Sequence, residues 1–127
     1  MIYYFASNKN LDNEILYPRV PKNRMKCEDE KVQRICVSQS INGCLSAISP
    51  NVGDLIYIHK CTSNKVVQPN LDQVIDSFLT GELWILESVK MEKILKIKIT
   101  GIIVCSVFST DLLNCLYSFE QISDEKI

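Results

Sequence analysis

Three stretches of this chain carry side chains suited to holding a negatively charged ligand. The first is Tyr17-Pro18-Arg19-Val20-Pro21. Its prolines stiffen the backbone and lower the entropy lost on binding. An arginine on such a rail can clamp a phosphate or carboxylate with two parallel hydrogen bonds. The plainer reading is an exposed arginine in a surface loop. The second is Arg34-Ile35-Cys36-Val37-Ser38-Gln39-Ser40. Here a strand end, two serines and a helix N-terminus converge, and free N–H groups with the helix dipole favour an anion. The plainer reading is helix capping by Ser38 or Ser40. The third is Thr80-Gly81-Glu82-Leu83-Trp84, where Glu82 opens a strand beside a glycine and the only tryptophan. A carboxylate there suits contact with ribose hydroxyls, or polarising one of them. Its plainer reading is a surface glutamate next to a core-packed tryptophan.

Other familiar chemistry is absent from the pattern. The four glycines are scattered, so there is no phosphate-cradling loop. One histidine, His59, cannot build a multi-histidine metal site. It reads as a satisfied structural residue or a polar ligand contact. No metal ligand set and no resident cofactor is expected. Six cysteines are present, with no two-residue gap of a zinc or redox motif between any pair. Cys36, Cys44, Cys105 and Cys115 lie in apolar stretches, where a reduced thiol acts as a small hydrophobe. The acidic run Cys27-Glu28-Asp29-Glu30 reads as a solvated charge cluster in a loop.

The elements that must position these residues follow from periodicity. Ile2 to Ala6 is a β-branched and aromatic run, hence a strand. Leu11, Ile15 and Leu16 suggest one helical turn before Pro18, and the charged residues Lys22 to Lys31 an exposed loop. Arg34 to Val37 is the second strand. Ile41, Cys44, Leu45 and Ile48 fall on one helical face, capped by a serine and stopped by Pro50. Leu55 to His59 is a third strand, and Val66-Val67 a short one. Leu71, Val74, Ile75, Phe78 and Leu79 have helical spacing up to Gly81. Glu82 to Leu86, Lys93 to Ile99 and Ile102 to Phe108 read as strands, with a bulge at Gly101. Thr110 or Asp111 would cap a last helix carrying Leu112, Leu113, Leu116 and Phe119. The fold class expected is α+β: a mostly antiparallel, strongly bent or split sheet with two or three short helices.

Length and composition set the frame. The 127 residues suit a single domain, 1–127, with 123–127 as a frayed tail. A hydrophobic share of 46% and a charged share of 23% are globular values. The net charge of −1 gives no global field toward nucleic acid or anionic membrane. The start has no basic segment or apolar core of a signal peptide, and no apolar run is long enough to span a bilayer. The expected location is cytoplasmic. Abundant lysine, asparagine and isoleucine point to an AT-rich genome.

Read together, Leu16-Tyr17-Pro18-Arg19-Val20-Pro21, Arg34 to Ile41 and Thr80-Gly81-Glu82-Leu83-Trp84-Ile85 resemble a family of small proteins of low-GC bacteria and their phages. The likeness runs in order over about residues 1 to 100 and implies no particular activity. A looser resemblance is to the ADP-ribosyltransferase-like fold, in which Tyr3, Ser38 and Glu82 would take the positions of the first-strand signature, the serine motif and the catalytic glutamate. The chain departs from that pattern. Its first strand has no arginine or histidine, its serine motif is not the usual triplet, and Thr80 stands where a glutamine or glutamate is found. What the resemblance implies is a nucleotide-shaped cleft, and transfer of ADP-ribose only if Glu82 is catalytic.

The resulting expectation is a domain that binds an anionic, nucleotide-like ligand of the NAD or ADP-ribose type. Arg19, Arg34, Ser38 and Ser40 would hold phosphate, Tyr3 or Trp84 would stack on a base, and Glu82 would contact ribose. In a phage, capture of a nucleotide defence signal in the host cytoplasm is as consistent with this as turnover. The alternative is a non-enzymatic inhibitor that binds a host protein. Such a protein should show an exposed apolar patch, or a symmetric homodimer contact through Leu112, Leu116 and Phe119.

Overall fold

The computed structural model describes residues 1–20, 32–69, 81–109 and 112–123, and the side chains of all of these except 105–109 and 112–114. In chain order the elements are β1 (Ile2–Ser7), β2 (Ile15–Leu16), β3 (Ile35–Val37), α1 (Ile41–Ile48), β4 (Leu55–Thr62), β5 (Val66–Val67), β6 (Leu83–Ile85), β7 (Val89–Lys90), β8 (Glu92–Ser109) and β9 (Leu112–Gln121). The strands form a four-stranded sheet ordered β1-β4-β8-β9, a three-stranded sheet ordered β3-β6-β5 and the pair β2-β7, all antiparallel.

Alternation along β1 and β4 gives the central sheet a core on each face. Ala6, Ile56 and Ile58 point one way and meet Cys44 and Leu45 of α1, with Ile97 and Ile99 of β8. Tyr3 and Cys61 point the other way and meet Ile35, Val37, Ile85, Val89 and Met91. A helix therefore covers one face and the small sheets cover part of the other. The link between layers is Ser38, which bridges Tyr4 at the edge of β1 through bonds of 2.7 and 3.1 Å. Three residues later α1 begins.

The serine cap and the stripe of α1 form as their spacing predicts. Ser40 Oγ accepts the Gly43 N–H at 3.0 Å. The helix ends at Ser49, which turns left-handed (φ 47°) while its N–H bonds to Leu45. Pro50 follows and cannot continue the helix.

Two expectations are corrected. Residues Leu11 to Leu16 form no helical turn. Asn13 is left-handed (φ 65°), and Ile15 and Leu16 pair with Lys90 and Val89 as β2. Nor is the last segment a helix: Leu112–Gln121 is strand β9, paired along β8. Leu112, Leu113, Leu116 and Phe119 do fit a helical stripe, but Cys115, Tyr117 and Phe119 also alternate with Leu116, Ser118 and Glu120. With β8 paired along its whole length, the two-residue period wins. The expected strands Lys93 to Ile99 and Ile102 to Phe108 are one strand, kinked where the register shifts between Ile99 and Gly101. The result is a mostly antiparallel fold with one helix among the described residues. The expected loop Lys22 to Lys31 and helix Leu71 to Leu79 lie outside the described residues. So do most of the tail and Cys27. No helix among the described residues is long and apolar enough to cross a membrane.

Candidate functional site

β3 and β6 set two of the three stretches side by side, with Cys36 opposite Trp84 and Val37 opposite Leu83. Ile35, Val37 and Ile85 enter the core beneath. By alternation Arg34, Cys36, Ser38, Glu82 and Trp84 stand on the other face. The remaining stretch joins through its backbone. Arg19 and Arg34 exchange both N–H···O=C bonds, at 3.0 and 2.9 Å. Residues directly opposite across such a pair project to the same side. Arg19 remains exposed, and Arg34 is buried.

A charged stack occupies this face. The Arg34 guanidinium lies 4.3 Å from the centroid of the Trp84 ring, and its Nη1 donates to the Val32 carbonyl at 2.9 Å. The wholly buried Trp84 donates its indole N–H to Glu82 Oε2 at 2.6 Å. Cation, ring and carboxylate thus follow one another. A guanidinium over an indole face is attracted by the ring quadrupole, more strongly when desolvated. Ser38 lies beside them: a Cβ added at Gly81 would stand 3.7 Å from its Oγ. That hydroxyl also accepts the Ser40 N–H at 3.3 Å.

Of the residues singled out from sequence, Arg34, Ser38, Glu82 and Trp84 stand on one face of β3–β6, and Arg19 is tied to Arg34 through the backbone. Two roles are corrected. Trp84 is buried with a guanidinium on its ring, so it does not offer that face to a base. Tyr3 is buried in the core on the opposite side of β3–β6, so it is not part of this cluster. Ser40 is engaged in capping α1.

Two residues outside the charged stack hold the framework, and the first, His59, is the satisfied structural histidine that the sequence suggests. His59 is fully buried, with Nε2 accepting the Leu11 N–H at 3.0 Å and Nδ1 lying 3.2 Å from the Phe5 carbonyl. Accepting at Nε2 places the proton on Nδ1, which donates to Phe5. Burial holds its pKa below the ordinary 6.5, against the opposing pull of the Phe5 carbonyl. His59 therefore fixes the segment after β1 as a neutral ring. Asn42 is the other: its Nδ2 donates to the Cys115 carbonyl at 3.0 Å, and its Oδ1 accepts the Tyr117 N–H at 2.9 Å. The carboxamide stands in for a neighbouring strand along the edge of β9.

Two buried thiols, Cys44 and Cys61, are poor nucleophiles. Burial pushes Cys44 up to about 12 and Cys61 up to about 11, far above the range of reactive cysteines. Among the described residues no group of three His, Cys, Asp or Glu gathers as a metal site. One cleft is lined by Lys93, Lys96, Gln121 and Ser123. Another is lined by Asn13, Lys60, Lys90 and Glu92, where Lys60 pairs with Glu92 at 3.5 Å. Neither contains the residues of the charged stack. Comparison with protein-family models, curated proteins and solved structures found no match to this chain.

Proposed function

We propose that the chain binds an anionic, nucleotide-like ligand of the NAD or ADP-ribose type, with its phosphate against Arg19. The observation that carries this reading is the Arg19–Arg34 bridge. Like charges directly opposite across an antiparallel pair repel. An anion resting on the exposed Arg19 offsets that repulsion, while Arg34, fixed on Trp84, adds a positive charge in a low-dielectric setting. Ser38 supplies a hydroxyl on the same face. Glu82, oriented by the indole N–H, is the group for a ribose hydroxyl and, were ADP-ribose transferred, for the developing positive charge of the ribosyl centre. Trp84 serves to position its two neighbours.

Thermal unfolding with NAD, ADP-ribose, a cyclic nucleotide and inorganic phosphate tests this reading. Ligand at one hundred times its dissociation constant should add about 2.7 kcal/mol of stability. Arg19→Ala should abolish the shift while leaving the ligand-free melting temperature nearly unchanged, because Arg19 meets the bridge through its backbone. Glu82→Gln should weaken ADP-ribose and leave phosphate alone. No shift with any compound overturns the proposal.

A further inference from the structure

Beyond Ile99, β8 runs on with β9 as a two-stranded ribbon, its pairs running from Gly101↔Ser118 to Ser109↔Leu112. Isolated two-stranded ribbons are marginal in water. Natural proteins defend exposed strands with charges or proline, yet residues 99–109 and 112–119 contain neither. The ribbon exposes large apolar side chains: Ile103 is 62% and Leu116 51% accessible.

The register sorts this surface. Ile97 and Ile99 are buried under α1, so Lys98 points to the opposite, outer face. So does Glu120, its direct partner. The next outward pairs are Gly101↔Ser118 and Ile103↔Leu116. The outer face is thus a ladder of three rungs: a Lys–Glu rung, a small rung and an apolar rung. Lys98, Glu120 and Ser118 are exposed.

This ladder complements itself. Consider two copies stacked outer face to outer face, related by a twofold axis parallel to the strands. The operation places β8 of one copy over β9 of the other. Lys98 then meets the second copy's Glu120, and Ile103 meets its Leu116, each contact occurring twice. The small middle rung allows the two sheets to approach to the ~10 Å of packed β-layers. A single charge sign at the base would have opposed such pairing, whereas a Lys–Glu rung favours it.

We propose that the outer face of the β8–β9 ribbon is a homodimer interface of this twofold kind. The interface goes beyond ligand binding and does not depend on it. Sedimentation of the 127-residue chain should give a concentration-dependent dimer. Lys98→Glu and Glu120→Lys should each weaken self-association at least tenfold, with unchanged circular dichroism. Mixing the two variants should restore a dimer: the carboxylate introduced in one then faces the ammonium introduced in the other, and the remaining contact is the native Lys98–Glu120 pair. The double variant should dimerise alone. Leu116→Glu should give a monomer that mixing does not rescue. A wild-type chain that stays monomeric at 100-micromolar order, or a dimer indifferent to both charge reversals, overturns the proposal and leaves the ribbon to a different protein partner.

Discussion

The guanidinium of Arg34 lies over the Trp84 ring, 4.3 Å from its centroid, and the N–H of the same indole is held by Glu82. One aromatic ring therefore separates and orients two opposite charges that are both nearly excluded from water. Losing either charge removes an opposite charge from beside a group that is almost fully buried.

Arg34→Ala should accordingly destabilise the fold by about 3 kcal/mol, the usual cost of removing one member of a buried charged group. Arg34→Lys should recover little, since an ammonium lacks the planar face that stacks on an indole. Trp84 is the sole tryptophan, so its fluorescence during urea unfolding reads both variants directly. A loss below about 0.5 kcal/mol for Arg34→Ala, the range of ordinary surface changes, would refute the structural weight given to the stack.

His59 makes stability depend on pH in a defined direction. Its folded pKa lies below 6.5 because of burial, so the unfolded chain takes up the proton first as pH falls. The contribution of the neutral ring is complete above about 6.5 and is lost below it, down to the folded pKa. The slope in that window cannot exceed one proton, about 1.4 kcal/mol per pH unit. Urea midpoints between pH 5 and 8 should therefore converge between wild type and His59→Gln toward acid and separate toward neutral pH. Parallel curves would contradict a buried neutral imidazole.

Legibility of the fold divided along a physical line. Where one periodicity stood alone, the residues specified their element: α1 with its serine cap, the β-branched run of β1 and the bulge at Gly101 all follow from local pattern. At Leu112–Gln121 two periods coexist in the same residues, and only the presence of β8 selects the strand. Arg19, Arg34 and Glu82 were readable as members of three stiff or capped stretches with compatible chemistry. The burial of Arg34 and Glu82 was not, because nothing in the order Glu82-Leu83-Trp84 says which face the core lies beneath. Asn42 was illegible for a different reason: its partners are backbone atoms 73 and 75 residues away, and backbone has no sequence signature.

Asn42 should prove worth more than a helical asparagine ordinarily is. Asn42→Ala leaves the Cys115 carbonyl and the Tyr117 N–H without this partner, at about 1–3 kcal/mol if water does not reach them. Asn42→Asp keeps the acceptor for Tyr117 and loses the donor to Cys115. Amide hydrogen exchange should therefore speed up at Tyr117 in the alanine variant and stay slow there in the aspartate variant. Equal exchange in both would remove Asn42 as the clamp of that edge.

The kink of β8 gives a coupled prediction. A Cβ at Gly101 would stand 2.6 Å from Ser118 Oγ, closer than real contacts allow. That hydroxyl is held in turn by Thr100 Oγ1 at 3.3 Å. Gly101→Ala should thus destabilise by about 1–3 kcal/mol, the usual cost of overpacking. Removing the obstructing oxygen should reverse most of it, since the Ser118 Cβ lies a comfortable 4.0 Å away. Gly101→Ala/Ser118→Ala should then be more stable than Gly101→Ala alone, although Ser118→Ala by itself removes a hydrogen bond and gains nothing. A double-mutant cycle of melting curves measures that coupling. Strict additivity would mean that the strand yields at its bulge and that the glycine is not needed for the space Ser118 fills.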